Sequence, residues 1–289
     1  MQNSFVKSHG LGNDYIVLNQ DKISFKLTEN AIRKICDVHF GIGSDGILLK
    51  VPSSKANFGL RILNPDGSEA EKSGNGLRIF AKYLYDYQHS KTRKFTIETP
   101  GGMVQAEIIK EKNGKAKTVK VDMGKAIFSS AQIPVNCEKE ECIDETLHLE
   151  YRDYVMNCVS VGNPHCVIFT DNLDEEEVKV FGHQIENHPA FPNRINVQFA
   201  KVISPTEVEI MIWERGAGWT LASGSSSCAV AAGAVKKGLT QKYLTVKMPG
   251  GELKIEIEEQ WDIRMTGDVS EIANGFLSRE LVAELMDSQ

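Results

Sequence analysis

Residues 72–76 read KSGNG, and residues 222–226 read ASGSS. In each, a serine stands directly before a glycine at what reads as a helix start, and Ser73 and Ser223 lie 150 positions apart in a chain of 289 residues. The spacing recurs on both sides of this pair. GNDYIVL (12–18) is answered by GNPHCVI (162–168) at the same offset, and TPGGMVQAEI (99–108) by MPGGELKIEI (248–257) at an offset of 149. Three matches in one order at nearly one spacing imply two copies of one fold unit, each of about 120 to 150 residues.

The content of a copy follows from its local patterns. YIVLN and HCVIFT are apolar, β-branched runs and predict strands. TENAIRKICDVHF carries apolar residues at helical spacing, with Thr28 as N-cap. FGLRIL predicts a strand closed by a Pro-Asp-Gly turn, and GNGLRIFAKYLYDY a helix with Leu77, Phe80, Ala81 and Leu84 on one face. In the second copy EVEIMIWERGAG predicts the strand and SSCAVAAGAVKKG the helix. KFTIETPGGMVQAEI and YLTVKMPGGELKIEI predict hairpins turning at Gly-Gly, and KEKNGKAK (110–117) a hairpin loop rather than a linker. The expected class is α+β, with a mostly antiparallel sheet in each lobe wrapped round a central helix. The expected lobes are residues 1–122 and 123–264.

Composition narrows the function classes. A net charge of −6 argues against a broad nucleic-acid surface. Apolar stretches such as AVAAGAV (229–235) are too short to span a membrane, and MQNSFVKSHGLGNDY lacks the apolar centre of a signal peptide, so a cytoplasmic protein is expected. The six cysteines form no CxxC pair and read as reduced, mostly buried thiols.

A helix N-terminus leaves amide N–H groups unpaired and carries partial positive charge. Gly74, Asn75 and Gly76 would let a carboxylate approach those amides, as would Gly224, Ser225 and Ser226. Ser73 and Ser223 would then flank the bound group. For either serine alone, an ordinary N-cap is the competing reading; the repeat argues for more. Arg215 offers a rigid fork for a carboxylate, against a surface ion pair as the alternative. Neutral asparagines can serve a zwitterion by accepting from its ammonium and donating to its carboxylate. Asn13 and Asn163 are equivalent in the repeat, which favours a shared role. His165 reads equally well as a satisfied core histidine, and Glu214 as a salt-bridge partner of Arg215.

HGLGNDY, NPDGSEAEKSGNG, GNPH, NRINVQF, ERGAGWTLASGSSSCA and the two PGG turns, in this order across nearly the whole chain, resemble the diaminopimelate epimerase family. The resemblance implies two similar lobes with the active site between them, and a final segment, 265–289, returning to the first lobe. It implies inversion of an amino-acid α-carbon without pyridoxal phosphate or metal, one residue removing the α-proton and a partner delivering another. The ligand would be a small-molecule amino-acid substrate; no nucleic-acid or membrane partner is implied, and a homodimer is compatible. By resemblance the amides of Gly74, Asn75, Gly224 and Ser225 hold the reacting carboxylate. Asn13, Asn64, Asn163, Asn196 and Arg215 bind the distal end of the substrate, and His165 and Glu214 lie beside the acid/base pair. Cys228 matches a second cysteine of the family and reads as helix core.

The family's two acid/base residues are cysteines, and here Ser73 and Ser223 stand in both places. A thiol titrates near pKa 8.5 and gives a usable base at neutral pH, whereas a hydroxyl needs an activating neighbour. Three accounts stay open: deliberate replacement of two cysteines, a natural paralogue with altered or lost isomerase chemistry, or a base supplied by Lys72, His165 or Glu214. The serine run 225–227 favours the paralogue. A binder of amino acids without catalysis, or a racemase of another amino acid, are the corresponding alternatives.

Overall fold

A computed structural model describes residues 2–287, and the chain forms two compact units: residues up to Val121 with those from Gly267 on, and Asp122–Thr266. The first unit holds β1 (Ser4–Gly10), β2 (Asn13–Asn19), α1 (Glu29–Cys36), β3 (Ile47–Val51), β4 (Phe58–Leu63), β5 (Glu69–Ala70), α2 (Gly74–Asp86), β6 (Lys94–Thr99) and β7 (Gly102–Lys112). β8 (Lys115–Lys125) then carries the chain across the boundary between the units. The second unit adds β9 (Glu145–His148), β10 (Asp153–Ser160), β11 (Pro164–Phe169), α3 (Glu175–Glu186), β12 (Asn196–Ser204), β13 (Glu207–Glu214), β14 (Gly218–Thr220), α4 (Gly224–Lys236), β15 (Tyr243–Met248) and β16 (Gly251–Ile257). The chain re-enters the first unit within β17 (Asp262–Asp268), followed by β18 (Ser270–Phe276) and α5 (Arg279–Asp287).

Each unit has the same pairing scheme. β1–β2, β3–β4, β4–β5 and β6–β7 are antiparallel, and β2–β3 and β4–β6 parallel. In the second unit β10–β11, β12–β13, β13–β14 and β15–β16 are antiparallel, and β11–β12 and β13–β15 parallel. Each parallel pair is bridged by one of the helices α1 to α4, as a parallel connection requires. Registers coincide as well: Val17 pairs with Leu48 in the first unit and Val167 with Gln198 in the second. The class is therefore α+β, with mostly antiparallel sheet.

Local chemistry accounts for the turns. Between β7 and β8, Asn113 and Gly114 have φ of 54° and 73°, the two left-handed residues of a type I′ hairpin. Thr28 caps α1 by accepting from the Ala31 amide. That helix stops at Cys36, short of the expected DVHF extension, because Asp37 takes the amides of His39 and Phe40 at 2.7 Å each. The turn leaves Val38 and Phe40 exposed.

Two helices lie at the centres of their units. α2 packs on β1, β2 and β7, and Gly74 to Leu84 are all buried, so the helix is covered on every side and not only on the Leu77–Leu84 face. α4 packs on β10, β11, β12, β13, β15 and β16 with a small-residue surface, Cys228 to Ala232 being fully enclosed. Inside the first unit Lys82 meets Asp86 at 2.6 Å and the Ala116 carbonyl at 2.7 Å, and Asp86 accepts the Ala116 amide at 2.7 Å. All six cysteines are free thiols; five are buried and Cys137 is half-buried. No helix of the described residues is long and apolar enough to cross a membrane.

Candidate active site

Ser73 is the N-cap of α2: its φ and ψ of −139° and 120° are extended, and its Oγ accepts the Gly76 amide at 3.1 Å. The Tyr15 hydroxyl lies 3.3 Å from the same oxygen. Behind it, Asn75 donates to Asn13 Oδ1 at 3.2 Å, and Asn13 donates to Asp45 at 2.8 Å. Arg78, with no exposed surface, donates to Asn75 Oδ1 at 2.6 Å and to the Gly74 carbonyl at 3.2 Å. Gly76 sits in a tight place, because a Cβ would lie 3.0 Å from Leu48 and 3.2 Å from Ser73.

Ser223 caps α4 in the same backbone conformation, φ −143° and ψ 127°, and accepts the Ser226 amide at 3.4 Å. Ser225 Oγ is 3.5 Å from Ser223 Oγ, and Ser227 Oγ donates to the Ser223 carbonyl at 2.8 Å. Glu214 ends β13 beside this cap. Burial raises its carboxyl pKa above the ordinary value, and a hydrogen bond with Ser223 pulls it partly back. Ser223, and not the adjacent Arg215, is the neighbour that lowers the Glu214 pKa.

His165 is fully buried on β11, its Nε2 3.0 Å from Asn163 Oδ1, while Asn163 donates to Ser225 Oγ at 3.4 Å. Loss of hydration pushes the imidazole pKa down to about 3, with the charge of Arg215 as a lesser cause. The ring is therefore neutral at physiological pH.

The structure collects these residues into two clusters, one per unit. Ser73, Gly74, Asn75 and Asn13 form the first; Ser223, Gly224, Ser225, Asn163, His165 and Glu214 form the second. Asn196 joins the second through the backbone: it donates to the Pro164 carbonyl at 2.8 Å and accepts the Arg215 amide at 3.0 Å, so both ends of its amide tie strands together. Arg215 is half-buried, with Nη1 on the Asn193 carbonyl at 3.1 Å. Asn64 stands in the turn after β4 and donates to Ser68 Oγ at 2.9 Å.

Several contributors escape sequence reasoning. Tyr15, Asp45 and Arg78 support the first cluster, and Gln198 the second through its bond to Ser226. Glu186 holds the Glu214–Arg215 turn, accepting from Trp213 Nε1 and the Gly216 amide at 2.8 Å each. The repeat offers a signal for one of them, since Tyr15 occupies the position equivalent to His165.

The diaminopimelate epimerase family model matches residues 5–129 and 157–272. Diaminopimelate epimerase 2 of Nostoc sp. is 50% identical over 280 residues, covering 96% of this chain and 97% of that protein. The diaminopimelate epimerase of Acetivibrio thermocellus is 42% identical over 272 residues, covering 94% and 97%. Among solved structures, a probable proline racemase from Agrobacterium radiobacter superposes with a TM-score of 0.70 at 14% identity, covering 96% of this chain and 93% of that one. A hydroxyproline epimerase from Agrobacterium vitis gives 0.69 at 13% identity, covering 94% and 90%. These two likenesses concern the fold. The family match and the sequence identities together show that the chain belongs to the diaminopimelate epimerase family.

Proposed function

We propose that the protein is an isomerase that inverts the α-carbon of diaminopimelate or a closely similar amino acid, with Ser73 and Ser223 in the acid/base positions and Glu214 as the group that makes Ser223 a base. The single observation that carries this reading is that Ser73 and Ser223 cap α2 and α4 in the same backbone conformation, with Glu214, a carboxyl whose pKa burial raises, beside Ser223. A raised carboxyl is a better proton acceptor at neutral pH than an ordinary one. Ser223 Oγ can take the α-proton while its own hydroxyl proton passes to Glu214, which makes good the weakness of a lone hydroxyl. In the reverse direction the same pair returns a proton to carbon. Ser73, hydrogen-bonded with the Tyr15 hydroxyl, takes the other part.

The amides at the starts of α2 and α4 are suited to the substrate carboxylate, and Arg215 to the distal carboxylate. Turnover is expected to be slow beside that of the same pocket with cysteines, because the pKa of a hydroxyl lies far above working pH. A second reading, an amino-acid binder without catalysis, is favoured by the capping hydrogen bonds, which occupy a lone pair on each serine oxygen. Exchange of the substrate α-proton in deuterated buffer separates the two. An isomerase exchanges it and a binder does not, and total absence of exchange with every diaminopimelate stereoisomer would leave only the binder.

A further inference from the structure

The two clusters solve one hydrogen-bonding problem with different residues. The matching strand registers and the two equal helices make Asn163 the equivalent of Asn13, Ser225 of Asn75, Gln198 of Leu48, and Ser226 of Gly76. In the first unit two charged groups fix the amide directions. The Asp45 carboxylate can only accept from Asn13, and the Arg78 guanidinium can only donate to Asn75. Asn75 therefore donates to Asn13 Oδ1: the helix residue gives, and the strand residue accepts.

The second unit lacks that pair of anchors, since Cys228 stands where Arg78 does. Among its buried polar atoms without a hydrogen-bond partner are His165 Nδ1 and Gln198 Oε1, and Gln198 is the side chain that acts on the His165 ring. With Asn163 Oδ1 on Nε2 and Gln198 Oε1 on Nδ1, both ring nitrogens would have to donate. That requires an imidazolium, which full burial disfavours. Turning the Asn163 amide end over end removes the conflict without moving Gln198, whose Nε2 already donates to Ser226 Oγ at 3.0 Å. Nδ1–H then donates to Gln198 Oε1, Nε2 accepts from Asn163, and Asn163 Oδ1 accepts from the Ser225 hydroxyl. The helix residue gives and the strand residue accepts, as in the first unit.

We propose that Gln198 is a positioning residue for Ser223: by holding His165 as the Nδ1–H tautomer it sets Asn163 to accept from Ser225, so that Ser225 Oγ presents a lone pair to Ser223. The neighbours of Ser223 Oγ are then the Glu214 carboxyl and the Ser225 lone pair, both acceptors, with the Ser226 amide as the donor. The Ser223 proton is drawn off its oxygen, which suits that oxygen to receive another. The exchange of a leucine–glycine contact in the first unit for Gln198 and Ser226 in the second is what builds this chain of donors. The inference rests on the reading of Ser223 as an acid/base residue, but its first test does not.

That test is nitrogen NMR on the full chain with labelled histidine, His165 being assigned by the signal lost in His165→Asn. The expected result is a neutral ring protonated on Nδ1 from pH 5 to 8. A ring protonated on Nε2, or on both nitrogens, overturns the proposal whether or not the Gln198 variants fold. Gln198→Met, similar in length and without an acceptor, should move the ring to the Nε2–H form and lower kcat for α-proton exchange roughly 10-fold, with KM changed less than about 2-fold. Gln198→Glu keeps an acceptor and should keep the Nδ1–H signal. A Gln198→Met enzyme with unchanged ring signals, or with only KM altered, would reduce Gln198 to a packing residue and overturn the proposal. If no form of the protein exchanges α-protons, it is the isomerase reading that fails, and the ring signal still decides the hydrogen-bond assignment.

Discussion

Ser223, the N-cap of α4, lowers the carboxyl pKa of Glu214 at the end of β13 against the larger rise that burial causes, and the two residues are 9 positions apart. The pair sets the pH dependence expected of the enzyme. Glu214 must be ionised to receive a proton, so exchange should fall as pH drops through its raised pKa. The acid limb of the rate profile should then lie above the ordinary carboxylate value of 4.5. Glu214→Gln should abolish that limb and lower the rate by about 10²-fold or more, the usual size of a general-base contribution. A rate profile unchanged in the glutamine variant would remove Glu214 from the proton path.

Replacing both serines by cysteine should raise α-proton exchange well above that of the unaltered chain. A thiol at a helix N-terminus ionises far more readily than a hydroxyl. Ser73→Cys or Ser223→Cys alone should give a smaller gain, because inversion needs a donor as well as a base. The measurement is loss of the α-proton signal in deuterated buffer for all four proteins. A double variant that binds ligand and stays inert would show that the pocket has diverged beyond its acid/base pair.

Arg215→Ala should weaken binding of an amino acid with a distal carboxylate by about 2–5 kcal/mol, the range for breaking a buried charge pair. Calorimetry on both proteins checks it, and equal affinities would place the distal carboxylate elsewhere.

His165 makes the folded state sensitive to acid. Its pKa is lowered from 6.5 to about 3, so between those values the unfolded chain binds more protons than the folded one. Its contribution is complete above the unfolded pKa and is lost as pH falls toward the folded one. From pH 7 to pH 4 this single group should remove roughly 3 kcal/mol. Urea titrations across that range should show a shallower loss in His165→Asn than in the unaltered chain.

Asp86→Ala should destabilise the first unit by about 3–5 kcal/mol, because it strands the buried Lys82 ammonium and the Ala116 amide together. The unfolding midpoint in urea reads the effect. A change confined to the surface range of about 0.5 kcal/mol would mean that water reaches Lys82.

Much of this protein was legible in the chain itself. The repeat announced itself in GNDYIVL against GNPHCVI, and strands and helices followed from apolar period and glycine turns. These are local signals: a Gly-Gly turn or a Thr28 cap depends on neighbours a few residues away. The serines before Gly74 and Gly224 could be placed at helix starts for the same reason. Local signals also misled at Asp37, where one side chain captured two amides and ended α1 early.

What the sequence could not determine is which groups meet. Gln198 reaches His165 because β11 and β12 run parallel in one register, and Glu214 nears Ser223 because the β13–β14 hairpin folds the chain back before α4. Lys82 finds the Ala116 carbonyl 34 positions away on β8. Such contacts join residues whose spacing carries no pattern, and burial then sets their pKa values and hydrogen-bond directions. Only the tertiary structure supplies both the meeting and the exclusion of water that gives it chemical effect.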